Sequence, residues 1–192
     1  MPHGNLGERA MPKSNVKFTL TDYLNLPEYP QVELIEGDLL VTPSPTYRHQ
    51  AISRNIGAAL WSWIKSRKIG DLVFAPMDVI LSDDTVVQPD IIVILAPNRH
   101  IVHERIEGPP DLVVEIHSPA TKERDLTVKR KLYARYGIRE YWIVDGDRQT
   151  IEVNEWTPDG YRPIGLFAFA DTLRSGVLSG FEMAVRTAFD DL

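Results

Sequence analysis

The amino-acid sequence predicts a mixed α/β (α+β) fold: a mixed β-sheet flanked by helices, with added β-hairpins. Three observations carry this expectation. Two apolar runs of strand composition, 111–117 and 140–145, are separated by a helical stretch at 123–136, and such a crossover joins parallel strands. The runs at 72–81 and 86–95 are joined by a short turn, which suits antiparallel neighbours. Between 47 and 68, Ile52, Ile56, Leu60, Trp63 and Ile64 recur at the spacing of a helix with one apolar face.

The elements follow in order. FTLTDYLNLPEYP reads as a short helix that Thr19 or Thr21 can cap and that Pro27 and Pro30 end. QVELIEGDLLVTPSP gives two short strands about a Glu36-Gly37-Asp38 turn. Pro43-Ser44-Pro45 leads into the 47–68 helix, with Gly70 as the expected stop. LVFAPMDVIL (72–81) is expected as one strand, Ser82-Asp83-Asp84 as a turn, and 86–95 as the next strand, reached through Pro89. The loop 96–110 follows. The strand 111–117 has a Leu-Val-Val-Glu-Ile centre of the kind buried on both faces, and Pro119 breaks it. Gly137 closes the 123–136 helix and EYWIVD forms the strand after it. Turns at Gly146-Asp147 and Pro158-Asp159-Gly160 make a meander, and a strand, a turn and a short helix around AVRTAF end the chain. Residues 18–192 are expected to form a single domain after a flexible tail, 1–17, that is polar and rich in Gly, Pro and Asn.

Composition narrows the function. An apolar fraction of 43% is that of a globular protein rather than a disordered one. No apolar run approaches the roughly 18–20 residues of a membrane span, and the first residues lack the charged-then-apolar order of a secretory signal. A cytoplasmic protein with no membrane partner is the expectation. The absence of cysteine leaves only oxygen and nitrogen as metal ligands. A net charge of −6 argues against coating nucleic acid by bulk electrostatics, yet residues 122–139 alone carry +5, leaving −11 for the rest. That run is either a solvated helix face or a basic face beside an acidic pocket.

Two carboxylates stand where apolar strands should avoid them. Asp90 sits at the mouth of QPDIIVIL, after Pro89, and Glu115 lies inside DLVVEIHSP. A lone buried carboxylate is costly, so it should be paired, protonated or bound to a metal. Asp125, Lys129 and Tyr133 follow at i, i+4 and i+8, one helical face, so Lys129 can point back toward Glu115. Acids on neighbouring strands suit Mg²⁺ or Mn²⁺, and a nearby ammonium suits phosphodiester hydrolysis.

QPDIIVIL, DLVVEIHSP, RDLTVKRKLYARYGIREYWIVD and VELIEGDLLVTPSP resemble the motifs of the Uma family of restriction endonucleases, within the PD-(D/E)xK nuclease superfamily. The resemblance spans roughly residues 18–185. It implies a restriction-endonuclease-like core and a metal-dependent endonuclease acting on DNA. It also implies Asp90 and Glu115 as metal-binding acids, with the Ile116 carbonyl as a further ligand. The superfamily pattern places a lysine two residues after Glu115, where this chain has His117. The resemblance implies Lys129 as the matching catalytic lysine; Lys131 is the fallback, although two positions round the helix it should face elsewhere.

Around this set, Glu33, His49, His117 and Asp125 are accessory candidates. Lys122, Arg124, Arg130 and Lys131 are expected to approach the phosphate backbone, with 96–110 as a reading loop and a homodimer as the assembly. Plainer readings stand beside these: Asp90 as a turn acid, Glu115 as a structural partner for Lys129, Glu33 as a solvent-facing strand residue, His49 as a core or capping histidine. Tyr133 and Trp142 read as core aromatics, and Asp78, Asp83 and Asp84 as turn and surface acids. The alternative function is a catalytically silent nuclease-fold module that binds nucleic acid or a protein.

Overall fold

The structure is a computed structural model that describes residues 16–27, 31–117 and 125–190. Residues 1–15 of the expected tail therefore lie outside the described residues, while Lys17 pairs with Asp38 at 2.9 Å.

Helix α1 (Leu20–Leu24) starts at Thr19, whose side chain accepts from the Asp22 amide while the Asp22 carboxylate accepts from the Thr19 amide, a reciprocal cap. Strands β1 (Val32–Ile35) and β2 (Asp38–Val41) turn about Glu36 and Gly37, both at positive φ. Helix α2 (Tyr47–Arg67) is capped by Thr46 and ends at Lys68, which takes the left-handed conformation (φ 55°). Gly70 was the expected stop; it instead opens β3 (Gly70–Phe74), where a Cβ would meet the Ile94 carbonyl oxygen at 2.3 Å. Glycine is needed there for the close approach of two strands, not for a helix end.

The runs expected as single strands are each broken at a proline. Residues 72–81 divide into β3 and β4 (Val79–Ser82) around Pro76, and 86–95 into β5 (Thr85–Val87) and β6 (Ile91–Leu95) around Pro89. Each break carries the chain from one sheet to another. Five strands, in the order β2-β1-β5-β4-β7 with β7 at Ile106–Glu107, form the smaller sheet. The segment 96–110 is thus more than a loop: it holds a 3₁₀ turn (Ala96–Ile101) and that strand.

The larger sheet runs β11-β10-β9-β8-β6-β3, with β8 at Leu112–His117, β9 at Glu140–Asp145, β10 at Thr150–Thr157 and β11 at Gly160–Phe167. As the sequence predicts, β8 and β9 are parallel and β3 and β6 antiparallel; β6 also pairs antiparallel with β8. The crossover between β8 and β9 includes a π-helical stretch (Asp125–Lys129) continued by helix α3 (Arg130–Arg135), where one regular α-helix was expected. A hairpin, β12 (Thr172–Arg174) and β13 (Glu182–Ala184), and a 3₁₀ turn (Val185–Phe189) complete the chain.

Alternation along the central strands builds two cores. Ile91, Val93, Leu112, Val114 and Ile116 point to α2 and meet Ile52, Ile56, Leu60 and Ile64. Ile92, Ile94 and Val113 point the other way and meet Leu132 and Tyr133 of α3 together with Val79, Val87 and Ile106 of the smaller sheet. Glu115, in phase with Val113, is therefore carried into the second core. No helix is long and apolar enough to cross a membrane among the described residues.

Candidate active site

Glu115 is 4% exposed and Lys129 3%, and the Lys129 ammonium lies 2.9 Å from Glu115 Oε1. The same nitrogen lies 2.9 Å from Oε1 of Glu33, itself 1% exposed. Glu33 reaches this point because β1 pairs with β5, whose next residue, Gln88, has stepped off the ladder before Pro89. The Glu33 carboxylate accepts the Gln88 amide at 2.9 Å, replacing the lost strand partner. Two carboxylates thus share one buried ammonium. An uncompensated ion at this depth costs several kcal/mol, so the three groups hold one another in place.

Tyr133 joins them. Its hydroxyl donates to Glu115 Oε1 at 2.6 Å, and its ring packs edge-on to Tyr141 at 5.2 Å. Burial, then the charge of Glu115, holds the Tyr133 phenol well above the usual tyrosine range, so it remains a donor. The sequence marks Tyr133 as a core aromatic on the face that carries Lys129. Its place one helical turn after Lys129 was the signal that it meets the same acid.

Asp90 forms a second group at the end of the same two strands. Its register, continued one step beyond Ile91↔Val114, sets it opposite Glu115. Its Oδ2 accepts the Ile116 amide at 2.7 Å and stands 3.1 Å from His49 Nε2. The backbone amide of His49 meanwhile donates to the Thr46 cap at 3.2 Å, so this histidine both begins α2 and faces an acid. The two groups join through consecutive residues, Glu115 and Ile116.

The remaining candidates divide. His117 is half-buried and stands level with Asp145 in the parallel register of β8 and β9. Arg130 is taken up by Glu152 at 2.8 Å, and Arg135 and Arg139 by Glu36 and Asp111. Lys131 is exposed. Lys122 and Arg124, and the side chain of Asp125, lie outside the described residues. Asp78 is no surface acid: it accepts from Tyr23 and Gln88, each at 2.8 Å, and from Arg105 at 3.2 Å, fastening α1 to the smaller sheet.

Among the described residues no three His, Asp or Glu side chains converge as a metal cage. That is compatible with Mg²⁺, which takes one or two carboxylates, keeps several waters and completes its shell with substrate phosphate. The donor set fits such an ion. Asp90 Oδ1 accepts no hydrogen bond among the described residues, and its side chain is 17% exposed.

A family model described as "Uma2: Putative restriction endonuclease" matches residues 20–186. A crystal structure described as "a putative nuclease belonging to DUF820", from Anabaena variabilis ATCC 29413, matches with a TM-score of 0.77, covering 90% of this chain and 97% of that one. Sequence identity between the two is 23%, so this likeness concerns the fold. No curated protein matches the chain.

Proposed function

The chain belongs to the Uma2 nuclease family, and from that membership we propose that it is a divalent-metal-dependent endonuclease hydrolysing phosphodiester bonds in DNA. The observation that carries the proposal is the buried Lys129 ammonium 2.9 Å from Glu115, on the strand beside Asp90. A structural ion pair alone would not call for a second acid at the adjoining strand mouth, partly open to solvent.

Asp90, Glu115 and the Ile116 carbonyl would hold Mg²⁺ or Mn²⁺, which supplies Lewis-acid polarisation of the scissile phosphate. The chain's own residues do the rest. Lys129 would contribute the positive charge that offsets charge developing on the phosphate. Glu33 and Tyr133 act as positioning residues, Glu33 on the ammonium and Tyr133 on Glu115. The Ile116 amide and His49 orient the Asp90 carboxylate. The proposal takes residues 18–192 as one functional unit in the cytoplasm. A duplex cut on both strands requires two such sites, which a homodimer would supply.

Nicking of supercoiled plasmid in Mg²⁺ or Mn²⁺, abolished by EDTA, tests the proposal. No cutting in any divalent ion, with no ion binding by calorimetry, contradicts it and leaves a binding module.

A further inference from the structure

Helix α2 carries Arg48, Arg54, Lys65 and Arg67 and not one Asp or Glu in its 21 residues, in a chain of net charge −6. Arg48 turns to Asp147. The other three cations pair with no carboxylate among the described residues. Arg54 bonds only the Asn55 side chain, Lys65 lies over the Trp61 ring at 5.2 Å, and Arg67 over the Trp63 ring at 3.2 Å. Arg54, Trp61 and Lys65 stand at i, i+7 and i+11, close to two and three full turns, so they form one line along the helix.

Beside that line lies a groove of about 510 Å³ between α2 and β3. Trp61 and Phe74, 40% and 43% exposed, supply its rings, and Arg54 stands at its rim. Gly57 is what lets the Phe74 ring lie against the helix, since a Cβ there would stand 2.2 Å from it. Asp90 and His49 line the same groove, so it is continuous with the candidate active site.

We infer that this groove takes a nucleobase from an unpaired strand beside the scissile phosphate, and that α2 tracks that strand's backbone. The inference rests on the nuclease reading and narrows its substrate to nucleic acid that is single-stranded or locally unpaired at the cut. An acid-free cationic line suits a polyanion, and aromatic rings interleaved with cations suit unstacked bases, each of which offers a π-face. In an intact duplex those faces are occupied by neighbouring bases, and the two rings would have nothing to stack on. From His49 to Lys65 the helix offers about 24 Å of track.

The test is binding of fluorescein-labelled oligothymidylate, alone and annealed to its complement, by wild type in EDTA. The single strand is expected to bind more tightly than the duplex. Trp61→Ala/Phe74→Ala should weaken single-strand binding by about tenfold or more. Arg54→Ala/Lys65→Ala should flatten the slope of log affinity against log salt by about 1.4. Gly57→Ala guards against a folding artefact: alanine favours the helix, while its methyl displaces the Phe74 ring, so affinity should fall with thermal stability unchanged or raised. Equal or tighter duplex binding, or single-strand affinity untouched by the ring substitutions, overturns the inference. Cleavage of the same strand in Mg²⁺ keeps the two readings apart. Cutting that ignores the ring substitutions sinks the strand path and leaves the nuclease, whereas ring-dependent binding with no cutting in any metal does the reverse.

Discussion

Lys129 and Glu115 form a buried ion pair at 2.9 Å across the space between the π-helical stretch that leads into α3 and the central strand β8. Glu33 holds the same ammonium from the smaller sheet at the same distance. One side chain therefore ties together the crossover and both sheets.

Removing that charge leaves two buried carboxylates facing each other. Lys129→Met is expected to destabilise the protein by about 3–5 kcal/mol in urea unfolding, because the partners' desolvation is no longer offset. A shift well under 1 kcal/mol would mean the acids find other compensation.

Tyr133→Phe removes one charge-assisted hydrogen bond to Glu115 and should cost about 1.5–3 kcal/mol. It should also alter alkaline unfolding. The folded phenol titrates well above the ordinary 10.0, so its contribution is complete below pH 10 and is lost as pH rises beyond it. Over that window stability should fall by about 1.4 kcal/mol per pH unit for this group, and the variant should lose that part of the slope. Tyr23 and Tyr161, also raised by burial, add to the same alkaline loss. Unfolding profiles of the two proteins between neutral and strongly alkaline pH decide this.

Glu140 separates a buried acid from a chemical one. It is fully buried, yet it accepts from the Trp142 indole and the Gly176 and Val177 amides, which anchor the loop after β12. Glu140→Gln should lower the melting temperature while the cleavage rate per folded molecule stays within about twofold, since the site is untouched. A loss of cutting in fully folded protein would contradict this assignment.

That contrast marks how far the sequence could be read. The parallel β8–β9 step, the antiparallel neighbours and the apolar face of α2 followed from spacing, because a repeat of two or of three to four is visible in a single chain. The broken strands did not, although the sign was present: Pro76 and Pro89 sit inside runs read as continuous, and an interior proline argues against one strand. The oddness of Glu115 in an apolar strand led to the site, but Glu140 and Asp111 are equally odd and serve as hydrogen-bond anchors. Only partners distinguish them, and partners are distant in sequence: Gln88 on Glu33, Ile116 on Asp90, Tyr133 on Glu115. The cationic line on α2 was readable too, as a 21-residue stretch without a single acid, but the run at 122–139 is denser in cations and masks it.

The most direct test of the central claim is nicking of supercoiled plasmid by wild type and Glu115→Gln, in Mg²⁺, Mn²⁺ and EDTA, with both proteins shown folded by circular dichroism. The account predicts metal-dependent nicking by wild type that falls at least about a hundredfold in the variant, the scale expected when a group that stabilises the transition state is removed. Nicking by folded Glu115→Gln at the wild-type rate would contradict it.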